Sequence, residues 1–304
     1  MTASAFDGEY RALRGGAGSV VLARDVLAVR GPDAFDYLQG QCTQDLAPLV
    51  DGAGVDALVL SPQGKVDALV RVIRRADQDY VLDVEGGFGA HLRERLERFL
   101  LRMKVEIEPL PWRCLALRGP ESARLADTGP RVADELRVPV DWGGVTGVDL
   151  LGPAPTSPPE ALRCSRAAWE AVRIEAGIPV MGAELDDRTI PAEAGLVQRC
   201  VSFGKGCYTG QELVARLDAR GSNVARRLCG LVVADAPGPP EALVGAALLA
   251  EGAPAGVVTS AAWSPGLGAT VALAYVHRRV PVGTAVGLSA GAPLSAEVRQ
   301  LPLR

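Results

Sequence analysis

The sequence predicts an α+β chain that closes with a small all-β domain. The first observation is a β-β-β-α-β order over about residues 55–108. The runs "VDALVL", "KVDALVRVIRR" and "DYVLDV" read as strands, one amphipathic helical stretch follows, and "KVEIEPL" is strand-like again. The second is a change of pattern from Arg226 onward. There, short Val/Ala/Leu strands alternate with "APGPP", "EGAPAG", "SPGLG" and "VPVG", as in a small barrel. The third is length: 304 residues suit about two domains. The boundary is placed between residues 1–225 and 226–304.

The elements follow in order. "SVVLA" and "VLAVRG" read as the first strands. "GPDAFDYLQGQCTQDL" reads as a helix with Pro32 at its first position and Phe35 and Leu38 on one face. The three strands turn at "SPQG" and "ADQD". In "GGFGAHLRERLERFLLRM", Phe88, Leu92, Leu96, Phe99 and Met103 recur at helical spacing, with arginines and glutamates opposite. "WRCLALRG" restarts strand structure, and Gly152 to Leu162 is a proline-rich connection. "SRAAWEAVRIEAG" is a helix with Ser165 as N-cap, Gly177 as its stop and Pro179 beyond. "ELVARLDARG" is a further short helix.

Composition excludes several classes. Apolar residues are 48%, charged residues 22% and net charge −4, which suits a soluble globular chain and argues against a broad nucleic-acid footprint. The N-terminus lacks a signal-peptide pattern and no apolar window is long enough to span a membrane. The six cysteines form no C-x-x-C pair and match neither a disulfide framework nor a metal or cluster cage, so a reducing cytoplasm is expected. His91 and His277 have no metal-spaced partner. All but three of the 32 basic residues are arginine. Two of the three lysines, Lys65 and Lys205, sit in glycine-containing stretches, "SPQGKVD" and "FGKGCY".

The stretch "SFGKGCYTGQEL" concentrates scarce residue types. Thr209 and Glu212 fit a capping box, which places Cys207 just before a helix N-terminus. Oriented N–H groups and the Lys205 ammonium would then favour a thiolate at Cys207. Gly204, Gly206 and Gly210 allow a sharp turn or close ligand approach. The competing reading is an ordinary glycine-rich turn into a capped helix, with an inert cysteine and a packed tyrosine. The residues alone leave both open.

"KGCYTGQELVAR" closely resembles the K-G-C-Y-x-G-Q-E signature of the YgfZ family of folate-binding proteins, relatives of the glycine-cleavage aminomethyltransferases (T-protein). "RGPDAFDYLQGQCTQDL", "SPQGKVDALVRV", "RIEAGIPVMGAEL" and "AGVVTSAAWSPGLGATVALAYV" are similar to further family segments, in family order across nearly the whole chain. The resemblance implies two interleaved α+β lobes around a central channel for tetrahydrofolate or a derivative. It places Glu175 against the pterin, with Arg173 beside it, and groups Asp67, Tyr208 and Gln211 with the ligand. Cys207 and Lys205 become the reactive pair. One tryptophan could stack on the pterin. Aminomethyltransferases carry an Asp-Asp pair where this chain has Asp67-Ala68. That departure, with the K-G-C-Y motif, places the chain on the YgfZ side.

The function implied is a folate-dependent accessory protein for assembly or repair of iron–sulfur enzymes. Its partners would be client enzymes or assembly factors, with tRNA modification downstream and no direct nucleic-acid or membrane partner. The alternatives are a folate-dependent one-carbon (aminomethyl) transferase and a non-catalytic folate-binding scaffold.

Overall fold

The structure, a computed structural model, describes residues 3–128, 132–221, 223–234, 236–290 and 292–304. The chain opens with α1 (Ala3–Gly15), β1 (Gly18–Leu22), β2 (Arg24–Arg30) and α2 (Ala34–Gln41). Next come β3 (Gly54–Leu60), β4 (Val66–Ala76), β5 (Asp79–Glu85), α3 (Gly89–Glu97) and β6 (Glu106–Leu110). The second lobe supplies β7 (Arg113–Arg118), α4 (Ser122–Thr128), β8 (Leu136–Trp142), β9 (Val145–Gly152) and β10 (Leu162–Arg163). The helices α5 (Arg166–Ala176), α6 (Val197–Cys200) and α7 (Gln211–Asp218) follow. The last strands are β11 (Arg226–Val233), β12 (Ala247–Ala250), β13 (Ala253–Ser264), β14 (Ala269–His277), β15 (Ala285–Ala290) and β16 (Ala292–Arg299).

Two five-stranded sheets and a barrel result. The first sheet has the order β3-β4-β5-β2-β6 and the second β10-β1-β7-β9-β8. Strands β11-β14-β13-β12-β15-β16 close a barrel, which removes its edges. Side-chain alternation decides what each face of the first sheet meets. Leu27, Val29, Val70, Val72, Leu82 and Val84 face α2 and α3 in one apolar core. Val26, Ile73 and Val81 point the other way, onto Cys114, Val138 and Leu151 of the second sheet. The two sheets therefore face each other, and a cavity opens where large apolar side chains give way to arginines.

Helix α5 joins the lobes to the barrel, and its local sequence explains its limits. The Ser165 side chain accepts from the Ala168 N–H, and Gly177 closes the helix in the left-handed region at φ 72. Ala168, Trp169, Val172 and Ile174 pack with Val271 and Leu273 of the barrel and with Tyr10 and Leu13 of α1.

Two expectations, on Pro32 and on the end of α3, need correction, and the N-terminal helix α1 is an addition that precedes the expected first strands. Phe6, Tyr10 and Leu13 lie at helical spacing and bury against α5. Pro32 stands outside α2, whose N-cap is Asp33. Helix α3 ends at Glu97 rather than near Met103, because the chain must turn back into β6, and Arg102 reverses it at φ 64.

Candidate functional site

A cavity of about 340 Å³ lies between the two sheets and α5. Among the described residues, six arginines line it (Arg24, Arg71, Arg118, Arg166, Arg173 and Arg199) against three carboxylates, Asp56, Glu85 and Asp149. Trp142 and Trp169 supply aromatic walls, with Leu69, Ile178 and Met181 between the charges. Arg199 stacks 4.2 Å from the Trp142 ring and Arg118 5.1 Å from the Trp169 ring.

All of these arginines except Arg199, which pairs with Asp56, are tied into one ionic lattice that spans both sheets. Arg71 on β4 donates through Nε to Asp83 Oδ2 at 2.9 Å and through Nη1 to Asp149 Oδ2 at 2.8 Å. Arg118 on β7 donates through Nη1 to the other Asp149 oxygen at 2.6 Å. Arg24 pairs with Asp83 and with Glu85. Burial raises the Asp149 pKa, yet Arg118 and Arg71 outweigh it and hold the carboxyl down to about 2. Arg173 is held by Glu170 and Glu184, and also donates to the Ile178 carbonyl and to Ser260 on the barrel. Asp83, Glu170 and Glu184 balance the arginines without lining the cavity, so the lining itself is rich in donors.

The K-G-C-Y loop has a different geometry from the one expected. Helix α7 starts at Gln211 with Gly210 as N-cap, at φ 81 and with no side-chain cap. The Thr209 capping box does not form, and Cys207 stands four residues ahead of the helix. The Thr209 N–H is committed elsewhere, to the Gly40 carbonyl at 3.1 Å. Lys205 Nζ donates to the carbonyls of Gln39, Cys42 and Gln44 at 2.7, 2.7 and 2.9 Å. It caps the end of α2, where carbonyls lack helical partners and the dipole favours a cation. Burial lowers the Lys205 pKa, partly offset by Cys42 and Asp45. Lys205 therefore braces the loop, while Cys207 is exposed.

The remaining motif residues pack inward. Tyr208 is buried with Leu58, Leu60 and Val66 of the β3–β4 hairpin. Gln211 Oε1 accepts from the Tyr208 N–H at 3.2 Å. A Cβ at Gly210 would meet the Ser61 carbonyl oxygen at 2.4 Å, so the loop lies directly on the "SPQGK" turn. The two glycine–lysine stretches singled out in the sequence are thus neighbours in space. No residue of 202–213 lines the cavity.

Glu175 and Asp67 are also engaged. Glu175 is 2% exposed, and its carboxylate accepts from Tyr10 Oη at 2.9 Å and from Ser264 Oγ at 2.5 Å. Burial and the Glu175 charge push the Tyr10 phenol up to about 12, so it remains a donor at neutral pH. Asp67 pairs with Arg95 Nε at 2.9 Å. Of the candidate site residues named from the sequence, only Arg173 reaches the cavity wall. Sequence reasoning missed Arg24, Arg71 and Arg118. Their signal was a lone charge in or beside an apolar strand, as in "VDALVRVI" and "CLALRG".

Comparison with known proteins agrees with this architecture. Residues 3–135 match the GCVT N-terminal domain, and residues 226–303 match the glycine cleavage T-protein C-terminal barrel domain. An aminomethyltransferase of Rubrobacter xylanophilus is 31% identical over 306 residues, covering 91% of this chain and 80% of that protein. The tRNA-modifying protein YgfZ of Escherichia coli O157:H7 is 30% identical over 233 residues, covering 70% of this chain and 71% of that one. The chain belongs to the YgfZ family, related to the glycine-cleavage T-proteins. Matches to its YgfZ relatives span about two thirds of each partner's length, as with the Klebsiella pneumoniae protein at 65%. The T-protein fold extends over 98% of the chain. The crystal structure of glycine cleavage system aminomethyltransferase T from Bartonella henselae superposes with a TM-score of 0.84 at 24% identity. Among the described residues, no helix is long and apolar enough to cross a membrane.

Proposed function

We propose that this YgfZ-family chain binds tetrahydrofolate or a derivative in the cavity between its sheets. In this reading it serves as an accessory protein for assembly or repair of iron–sulfur enzymes. The observation that carries the binding reading is the cavity itself: about 340 Å³, walled by Trp142 and Trp169 and rich in guanidinium donors. That volume falls within the roughly 300–1,000 Å³ of small-molecule sites. Aromatic walls suit a flat pterin, and arginines suit its acceptors and the carboxylates of a glutamate tail.

In this reading residues 1–225 form the binding region and residues 226–304 the barrel that buttresses α5. Arg173 contributes to the wall, and Glu175 fixes α5 from behind through Tyr10 and Ser264. Cys207 is the exposed thiol that meets a client, on a loop braced by Lys205, Tyr208 and Gln211. The alternative, one-carbon transfer, finds less support. Asp67 is held by Arg95, which is itself buried and also bonded to Gln41 and the Leu60 carbonyl.

The binding reading is tested by calorimetry with 5-formyltetrahydrofolate, alongside quenching of tryptophan fluorescence. Saturable binding is expected, with quenching that is reduced in Trp169→Phe and lost when Trp142 is replaced as well. Absence of heat and of quenching in the wild type refutes the reading.

A further inference from the structure

Arg118 carries a feature that the ionic lattice leaves unused. Its side chain is 3% exposed, and its Nη1 makes both of its hydrogen bonds, to Asp149 Oδ1 and to the Leu117 carbonyl at 3.0 Å. Its Nε is fully buried and has no acceptor among the described residues. A buried donor on a charged group is costly to leave unpaired, and native proteins rarely do so without a ligand or other partner.

The surroundings hold this guanidinium in place. Arg118 pairs across the sheet with Gly147 on β9. A Cβ at Gly147 would meet the Leu117 carbonyl oxygen at 2.1 Å and also crowd Arg118 Cδ at 3.0 Å and Nη1 at 3.1 Å, so glycine lets the strand backbone and the arginine pack this closely. Trp169 stacks on it and Asp149 fixes its far edge. The edge left over is the Nε/Nη2 fork, whose two parallel N–H bonds match the two oxygens of a carboxylate.

We propose that the Nε/Nη2 edge of Arg118 is the anchor for a carboxylate of the ligand held in the cavity. This rests on the reading of the cavity as the folate site and names the ligand group that the site grips. A carboxylate fits better than a phosphate. A carboxylate is planar, so its two oxygens take the two parallel N–H bonds of one fork, whereas a tetrahedral phosphate keeps further oxygens that this one edge does not reach.

Three probes separate the possibilities by calorimetry: 5-formyltetrahydrofolate, 6-methyltetrahydropterin (which lacks a carboxylate) and 4-aminobenzoylglutamate (which lacks a pterin). In Arg118→Gln, affinity for both carboxylate-bearing probes should fall by about 10- to 100-fold, the size of a lost charge-assisted pair. Affinity for the methylpterin should stay within about twofold. Arg118→Lys keeps a charge beside Asp149 but no fork, and should fall between. In the wild type, the Arg118 Nε–H resonance should shift on adding 4-aminobenzoylglutamate and stay fixed with inorganic phosphate. This last measurement decides the question if neither variant folds.

Equal losses for all three probes, an unmoved resonance, or a shift produced by phosphate alone overturn the anchor. If 4-aminobenzoylglutamate binds through Arg118 while the folate does not, the anchor stands and the folate reading falls. If the methylpterin and the folate bind with no Arg118 dependence, the folate reading stands and the anchor falls.

Discussion

Asp149→Asn tests the ionic lattice that joins the two sheets. The substitution removes the carboxylate shared by Arg71 and Arg118, leaving Arg71 with Asp83 and Arg118 with no acid partner among the described residues. Desolvation raises the Asp149 pKa, but the two arginines bring it from 3.8 to about 2. A carboxyl depressed in the folded state stabilises the fold above its unfolded pKa, and that stability is lost as pH falls through the folded value. That depression corresponds to roughly 2–3 kcal/mol, of which about half is gone by pH 3. Asp149 is 4% exposed, so solvent screening takes little from this figure. Removing one partner of a buried pair costs about 3–5 kcal/mol in general. Urea unfolding at pH 6, followed by tryptophan fluorescence, should show the variant about 3 kcal/mol less stable. At pH 3 the gap should narrow by about 1 kcal/mol, because the wild type loses its own Asp149 contribution. A gap that is unchanged or wider at pH 3 refutes the assignment.

Thiol labelling of the native protein should modify Cys207 at least about tenfold faster than any other cysteine, with all six reacting only after denaturation. The structure gives the reason. Cys207 is exposed, whereas burial pushes Cys42 and Cys164 up to about 11 and also raises Cys114, Cys200 and Cys229. Site assignment by mass spectrometry checks this, and a competing second cysteine contradicts it. Gly210→Ala should destabilise the protein by about 2 kcal/mol or more, since it forces a left-handed residue against the Ser61 carbonyl. Hydrogen exchange should show the 202–213 loop opening in this variant. A neutral effect would mean that the loop does not sit on the β3–β4 turn.

Several elements were legible in the sequence because their causes are short-range. Ser165 and Gly177 bound α5 through capping bonds to residues a few positions away. Alternating apolar runs set β3, β4 and β5, and turn residues at regular spacing announced the barrel. The K-G-C-Y motif and its companion segments identified the family by pattern alone. Where local signals misled, the cause was also local. Thr209 and Glu212 have the spacing of a capping box, but Gly210 takes the cap because the turn beneath admits no side chain there.

What only the tertiary structure decided is which groups meet. Arg71 and Asp149 are 78 residues apart, Glu175 and Tyr10 are 165, and Lys205 and Gln39 are 166. No periodicity or propensity encodes such pairs. They arise when two sheets pack face to face and a loop closes over the end of a helix. Burial then makes each polar group find a partner, and the partner available depends on segments far away in the chain. The same packing turned Glu175 inward, set Lys205 as a cap and left the Nε of Arg118, a residue of the cavity wall, without an acceptor among the described residues. The sequence by itself determined the elements and the family; the assembly of the two sheets on α5 decided the chemistry of the cavity.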